Sequence, residues 1–279
     1  MVAKNNIVFY MLFALVMMTF ISRAYAAETG RVYDKIMQTK EIDCGYFVWV
    51  PYVNKDPNTG NVSGINYEFM EEIGKILGVK INWKEEVSAA TAIEGLNTGR
   101  YDVMCASLWP DDFRLQNSLM SEPEFYNPVY VVVRGDDYRF DSEGLKRLNS
   151  SDVVFGGIDG DVTYTVAQEV FPEAKLLALP QMANGSDLLV SLSTRKVDAL
   201  VIDKGSVGDY NTANEAKVRV IESFGPVMVF KESLVVRKGE VKLMEELNRA
   251  LGTLRESGKV DQILKNYNEY GYMSSDKNH

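Results

Sequence analysis

One arginine stands where the chain offers chemistry. Tyr101-Asp102-Val103-Met104-Cys105-Ala106-Ser107-Leu108-Trp109-Pro110-Asp111-Asp112-Phe113-Arg114 is a short apolar strand running into a turn rich in Pro and Asp, followed by Arg114. A guanidinium is a rigid fork of donors that suits a carboxylate bidentately. Placed just past the end of a strand in an α/β sheet, it sits where such folds put ligands. A solvated loop Arg is the plainer reading, and the rest of the chain must choose between them. A second candidate is Asp203, which ends the apolar run Val197 to Ile202 and so belongs at the mouth of a strand. It also reads as the N-cap of a helix over Gly205 to Tyr210, and the two roles are compatible.

The rest of the inventory excludes much. The only histidine is His279, so a Ser-His-Asp or Cys-His system has no base and a His-rich metal site cannot be built. No cofactor is expected. Cys44 and Cys105 are the only cysteines, both in strand-like segments, and a disulfide between them and a pair of buried thiols are both open.

Residues 1–26 read as an export signal. Lys4 supplies positive charge, Ile7 to Ile21 are an apolar stretch of 15 residues, and Ala24-Tyr25-Ala26 is a small-x-small cleavage site, so the mature chain is expected to start at Ala27. An uncleaved anchor is the competing reading, although 15 residues is short for a membrane span. Loss of Lys4 and Arg23 takes the formal net charge from −9 to −11. An acidic exported chain argues against nucleic acid and anionic membranes as partners.

The elements that must position these residues alternate as strand and helix. Ile42 to Trp49 reads as a strand with an aromatic loop. Phe69, Met70, Ile73, Ile76 and Leu77 recur at helical spacing and stop at Gly78. Val79, Ile81 and Trp83 alternate as a half-buried strand. Ala92, Ile93 and Leu96 form another helical face, closed at Gly99, before the strand Tyr101 to Ala106. Further on come strands at Val129 to Val133, Val153 to Phe155, Val197 to Ile202 and Val227 to Val236, a helix over about Thr163 to Val170, and two amphipathic helices around Leu247 and Ile263. Such alternation implies a mainly parallel sheet with helical cover. A faint repeat, Leu96 to Val103 against Leu192 to Ala199, suits two similar lobes; chance similarity is the alternative for so short a match.

Five motifs in order give a resemblance. They are Gly64-Ile65-Asn66-Tyr67-Glu68, Gly99-Arg100-Tyr101-Asp102-Val103, Ser121-Glu122-Pro123-Glu124-Phe125-Tyr126, Arg195 to Asp203, and Leu254 to Val260. Over residues 40–271 the chain resembles the family 3 extracellular solute-binding proteins, the periplasmic amino-acid receptors of ABC importers. The resemblance implies an α/β, two-lobe periplasmic binding protein type II fold joined by two crossover strands. Lobe 1 is expected at 27–126 and 230–279, lobe 2 at 127–229, with crossings near Asn127-Pro128 and Phe230. It also implies a periplasmic monomer that captures a small polar metabolite, most simply an amino acid, and hands it to a membrane permease.

Carried over residue by residue, the resemblance gives Arg114 the ligand carboxylate, Asp203 the ammonium and Trp49 an aromatic wall, and adds Ser107, Trp109, Asp161 and Thr163. The chain departs from the family where Trp109 replaces a small hydroxyl, Asp161 replaces Thr, Tyr46 replaces an acid found in binders of basic amino acids, and Ala89 replaces a second aromatic wall. These departures leave open the class of ligand. The runner-up is a lyase of the cyclohexadienyl-dehydratase kind, which would use a cleft carboxylate as general acid.

Overall fold

The computed structural model describes residues 30–141, 145–267 and 273–276. The export signal expected at 1–26 and His279 lie outside the described residues. Helix α1 (Arg31–Thr39) precedes strand β1 (Glu41–Tyr46), and a small hairpin of β2 (Asn54–Lys55) with β3 (Val62–Ser63) leads to α2 (Ile65–Leu77). Then come β4 (Lys80–Glu86), α3 (Ala92–Asn97), β5 (Val103–Leu108), α4 (Asp112–Asn117) and β6 (Ser118–Met120). The long β7 (Phe125–Arg134) leads into α5 (Leu145–Leu148), β8 (Val154–Ile158), α6 (Val162–Val170), β9 (Lys175–Leu179) and α7 (Gly185–Ser193). After β10 (Ala199–Asp203), α8 (Lys204–Ala213) and β11 (Val218–Val220), the long β12 (Met228–Arg237) returns, and α9 (Val241–Glu256) and α10 (Lys259–Tyr267) pack on α2.

The sheet runs β4-β1-β5-β12-β7-β10-β8-β9, with β6 beside β12 and β11 beside β7. Pairing is parallel within β4-β1-β5 and within β10-β8-β9, and antiparallel wherever β7 or β12 takes part. Those two strands are shared by both halves and pair with each other through Phe230 and Asn127. The result is two α/β lobes with a common pair of strands between them.

Burial on both sheet faces explains the near-continuous apolar strands. Alternate residues feed opposite cores: Val103 and Cys105 pack into one, Met104, Ala106 and Leu108 into the other. The second lobe repeats this, with Ala199 and Val201 on one side and Leu200 and Ile202 on the other. Strand β9 carries little of this signal because it is an edge strand with exposed Lys175, Leu177 and Ala178, and the sequence patterning does not mark it.

The faint repeat is structural. Asp102 donates its N–H to Asp43 O at 2.8 Å and accepts the Asp43 N–H on its carboxylate at 3.0 Å. Asp198 does the same with Val154, at 2.7 and 3.1 Å. Each aspartate pins the strand that follows it to the start of its neighbour, and each is paired with a cation, Lys35 at 2.9 Å and Arg139 at 2.6 Å.

Candidate functional site

A narrow cleft opens between the lobes. Three segments of the first lobe line it: the loop after β1 with Phe47, Trp49 and Tyr52, the start of α2 with Asn66, and the end of β5 with Ser107 and Trp109. Asp161 faces it from the second lobe, and Glu232 from β12. Gly64 turns the chain into α2 at φ 115°, a region that favours glycine, and an added Cβ would lie 2.6 Å from the Tyr52 carbonyl oxygen. That tight turn sets Asn66 beside the cleft.

Arg114 lies on α4 and is 4 % exposed. The helix is capped by Asp111, whose carboxylate accepts the Arg114 N–H at 2.7 Å and lies 3.2 Å from its Nε. Nη1 donates to Trp109 O at 2.7 Å. These bonds fix the guanidinium beside the cleft through Nε and Nη1, leaving Nη2 without a protein acceptor among the described residues.

The indole of Trp109 lies flat on Phe230, with centroids 4.0 Å apart and planes at 3°. Its Nε1 donates to Glu232 Oε1 at 2.6 Å. The Asn127 amide donates to the same oxygen at 2.9 Å and to the Tyr52 hydroxyl at 2.8 Å, and Tyr52 in turn donates to Asp203 Oδ1 at 2.8 Å. A continuous hydrogen-bonded line therefore runs from Trp109 through Glu232, Asn127 and Tyr52 to Asp203, from one lobe to the other.

Asp203 ends β10, caps α8 through Ser206 N at 2.8 Å and is fully buried. Besides Tyr52, it takes the Ser206 hydroxyl at 2.8 Å and the Trp49 indole N–H at 3.4 Å. Trp49 also donates to Ser206 Oγ at 3.1 Å and packs on Gly185, where an added Cβ would fall 3.0 Å from its ring. Two aromatic side chains of the first lobe thus hold an aspartate of the second, and the lobes are closed on each other.

Beneath the cleft, Ser107 donates to Glu124, and the Asn66 amide donates to Ser107 Oγ at 2.5 Å. Glu124 Oε1 and Asn127 Oδ1 are buried without a partner among the described residues. Burial pushes the Glu124 carboxyl up to about 8, against the pull of Ser107 and with a smaller push from Glu232. Burial likewise pushes Glu232 up to about 7; the Trp109 and Asn127 donors oppose it, Asp203 adds to it, and Arg114 opposes it. Cys44 and Cys105, on adjacent parallel strands, are joined by a disulfide with Cα atoms 5.5 Å apart.

Residues 46–270 match the sequence profile of the bacterial extracellular solute-binding proteins, family 3. The chain belongs to that family. It is similar to a probable histidine-binding protein of Neisseria gonorrhoeae, 27% identical over 249 residues, covering 88% of this chain and 85% of that one. It is also similar to a probable amino-acid ABC transporter-binding protein of Haemophilus influenzae, 24% identical over 240 residues and covering 85% and 88% of the two chains. In fold it is similar to an ancestral amino acid-binding protein that is a precursor of cyclohexadienyl dehydratase, with TM-score 0.71, 22% identity and coverage of 84% of this chain and 98% of that one. A mutant of the ArgBP of T. maritima gives the same score and identity, with 85% and 98% covered.

Of the residues expected at a family 3 site, Trp49, Ser107, Trp109, Arg114 and Asp161 line one cleft. Asp203 and Thr163 do not. Asp203 is fully buried, and its oxygens accept four bonds from protein, two of them from the cleft residues Tyr52 and Trp49. Thr163 is 2% exposed and spends its N–H and hydroxyl on Asp161, the cap of α6. Tyr46 is buried edge-on against Trp83, 5.6 Å between centroids, and Ala89 does border the cleft. Sequence reasoning missed Tyr52, Asn66, Asn127 and Glu232. Their signal was weak: Glu232 stands between Lys231 and Ser233, a polar run that reads as a solvated stretch and marks a buried acid only once burial is known. Among the described residues no group of three or more His, Cys, Asp or Glu could hold a metal, and no helix is long and apolar enough to cross a membrane.

Proposed function

We propose that this solute-binding protein is a periplasmic, non-catalytic receptor that closes on an amino acid or a related amine-bearing acid and delivers it to an ABC transporter permease. The observation that carries the reading is a buried Arg114 lining an inter-lobe cleft, fixed by Trp109 O and Asp111 and with its Nη2 unspent on protein among the described residues. A guanidinium held this way suits the one group all amino acids share, the α-carboxylate. Closure through Trp49 and Tyr52 onto Asp203 supplies a shape a permease could distinguish from the open form. The names of two relatives, a probable histidine-binding protein and a probable amino-acid ABC transporter-binding protein, support the ligand class, and the second supports the partner. The disulfide fits an oxidising compartment, in keeping with the export signal.

The test is a thermal-shift panel of the mature protein against the twenty amino acids, followed by calorimetry on those that stabilise. A ligand present at a thousandfold excess over Kd adds about 4 kcal/mol. No stabilisation by any amino acid would end this reading.

The second reading, a lyase, is favoured by Glu232, a carboxyl on the cleft wall pushed to about 7, where a general acid works. Incubation with prephenate or arogenate and a search for aromatic product separates the two.

A further inference from the structure

A solute carrying an ammonium or guanidinium must find a counter-charge inside the cleft, because a cation stripped of water without one is costly. Asp203 is poorly placed to serve. Its Oδ1 accepts Tyr52 and Ser206 N, its Oδ2 accepts the Ser206 hydroxyl and Trp49, and its side chain is fully buried. Asp161 borders the cleft but is only partly buried, so water screens it, and its Oδ1 is taken by Thr163.

Glu232 is different. It borders the same cleft and is 4% exposed. Oε1 is fixed from two sides, by Trp109 at 2.6 Å and Asn127 at 2.9 Å. No protein donor among the described residues reaches Oε2, and no Lys or Arg nitrogen pairs with this carboxylate; the nearby cation Arg114 pairs with Asp111. The result is a buried, rigidly held carboxylate with one oxygen free, in a cavity whose other wall carries a guanidinium.

We propose that Glu232 anchors the cationic group of the bound solute while Arg114 holds its carboxylate, so that the cleft selects molecules carrying a protonated amine or guanidinium. This deepens the receptor reading and rests on it. The charged and titratable groups around Glu232 fit the assignment. Arg114 on α4 draws it toward ionisation, Asp203 at the end of β10 opposes this, and Glu124 beside β7 is itself a buried acid whose carboxyl Glu232 pushes up. A cation on Oε2 would hold Glu232 ionised, so affinity for that cation falls as pH drops below about 7.

The test uses the mature protein with n-propylammonium chloride and methylguanidinium chloride as probes, read by thermal shift at pH 8 and pH 5.5, alongside the amino-acid panel. The wild type is expected to be stabilised by the probes more at pH 8 than at pH 5.5. Glu232→Gln should lose the probe shift and weaken the best amino acid by about tenfold or more, as loss of a charged hydrogen bond would. Glu232→Asp, which keeps the charge but draws it back, should show a partial loss, and serves if Glu232→Gln does not fold. Asp161→Asn should weaken the probes less than Glu232→Gln does. A probe shift retained in Glu232→Gln, a larger loss in Asp161→Asn, or no probe shift in the wild type would overturn the assignment. Amino-acid binding indifferent to Glu232→Gln would sink the anchor and leave the receptor standing. Probe binding lost in Glu232→Gln with no amino acid bound would keep the anchor and sink the amino-acid reading.

Discussion

The Tyr52 hydroxyl donates to Asp203 Oδ1 at 2.8 Å, joining residues 151 positions apart in sequence and on opposite lobes. Tyr52 itself accepts from Asn127, on the strand shared by both lobes, so the bond couples the closing surface to the crossing. Tyr52→Phe removes the bond and keeps the ring stacked on Phe125. Leaving one acceptor of a buried aspartate short of a donor costs about 1–3 kcal/mol. The variant is expected to fold, to favour a more open form by small-angle scattering, and to bind its ligand more weakly.

Arg114→Ala should abolish ligand binding by calorimetry. It should also lower the melting temperature by a few degrees, because Trp109 O and Asp111 lose a charged donor worth about 1.5–3 kcal/mol. Arg114→Lys restores the charge without the planar fork and is expected to recover little binding. Undiminished affinity in either variant would remove Arg114 from the site.

Stability of the unliganded protein should fall as pH rises. The Glu124 and Glu232 carboxyls sit at about 8 and about 7, above the ordinary 4.5, because burial disfavours their charged forms. The folded chain therefore holds more protons than the unfolded chain between about 4.5 and about 8, and stability drops across that window. Glu124→Gln, neutral at every pH, should flatten the slope measured by urea unfolding at pH 5, 6.5 and 8. A slope unchanged in that variant would show that Glu124 ionises freely.

Gly185→Val targets closure alone. A Cβ there already falls 3.0 Å from Trp49, and two further methyl groups cannot be accommodated while Trp49 reaches Asp203 and Ser206. The variant should keep its fold by circular dichroism yet lose the ligand-induced compaction seen by scattering. Compaction equal to wild type would mean that Trp49 swings away on closure.

Replacing Cys44 and Cys105 together by Ala should destabilise the chain by about 2–4 kcal/mol, since the bridge closes a loop of sequence separation 61 in the unfolded state. The pair is distant from Arg114 in function, being packed in the first-lobe core, so ligand affinity should change far less than melting temperature.

Much of this molecule was legible as sequence. Helix α2 stops at Gly78 because that residue takes φ 65°, a conformation glycine adopts without strain, and the periodic residues Phe69, Met70 and Ile73 are fully buried as their spacing requires. The Asp102 and Asp198 repeat was legible because each lobe solves the same local problem, tying a strand start to its neighbour. The place of Arg114 beside the cleft was legible because it stands just past a strand end, where α/β folds put ligands. These signals are local: helical periodicity, turn chemistry and strand alternation depend on residues within a few positions of one another.

What the tertiary structure decided was the partnership of charges. Asp203 stands at the mouth of β10 as the apolar run before it requires, but whether its oxygens face solute or protein depended on Tyr52 and Trp49 arriving from the other lobe. Glu232 lies among alternating residues of a strand, and its free oxygen exists only because Trp109, Asn127 and the two-lobe crossing leave that side open. A carboxylate's role is set by which donors surround it and how much water reaches it, and both are sums over residues far apart in the chain. Sequence determines which acids the chain carries and on which elements; folding alone determines which of them stays hungry for a cation.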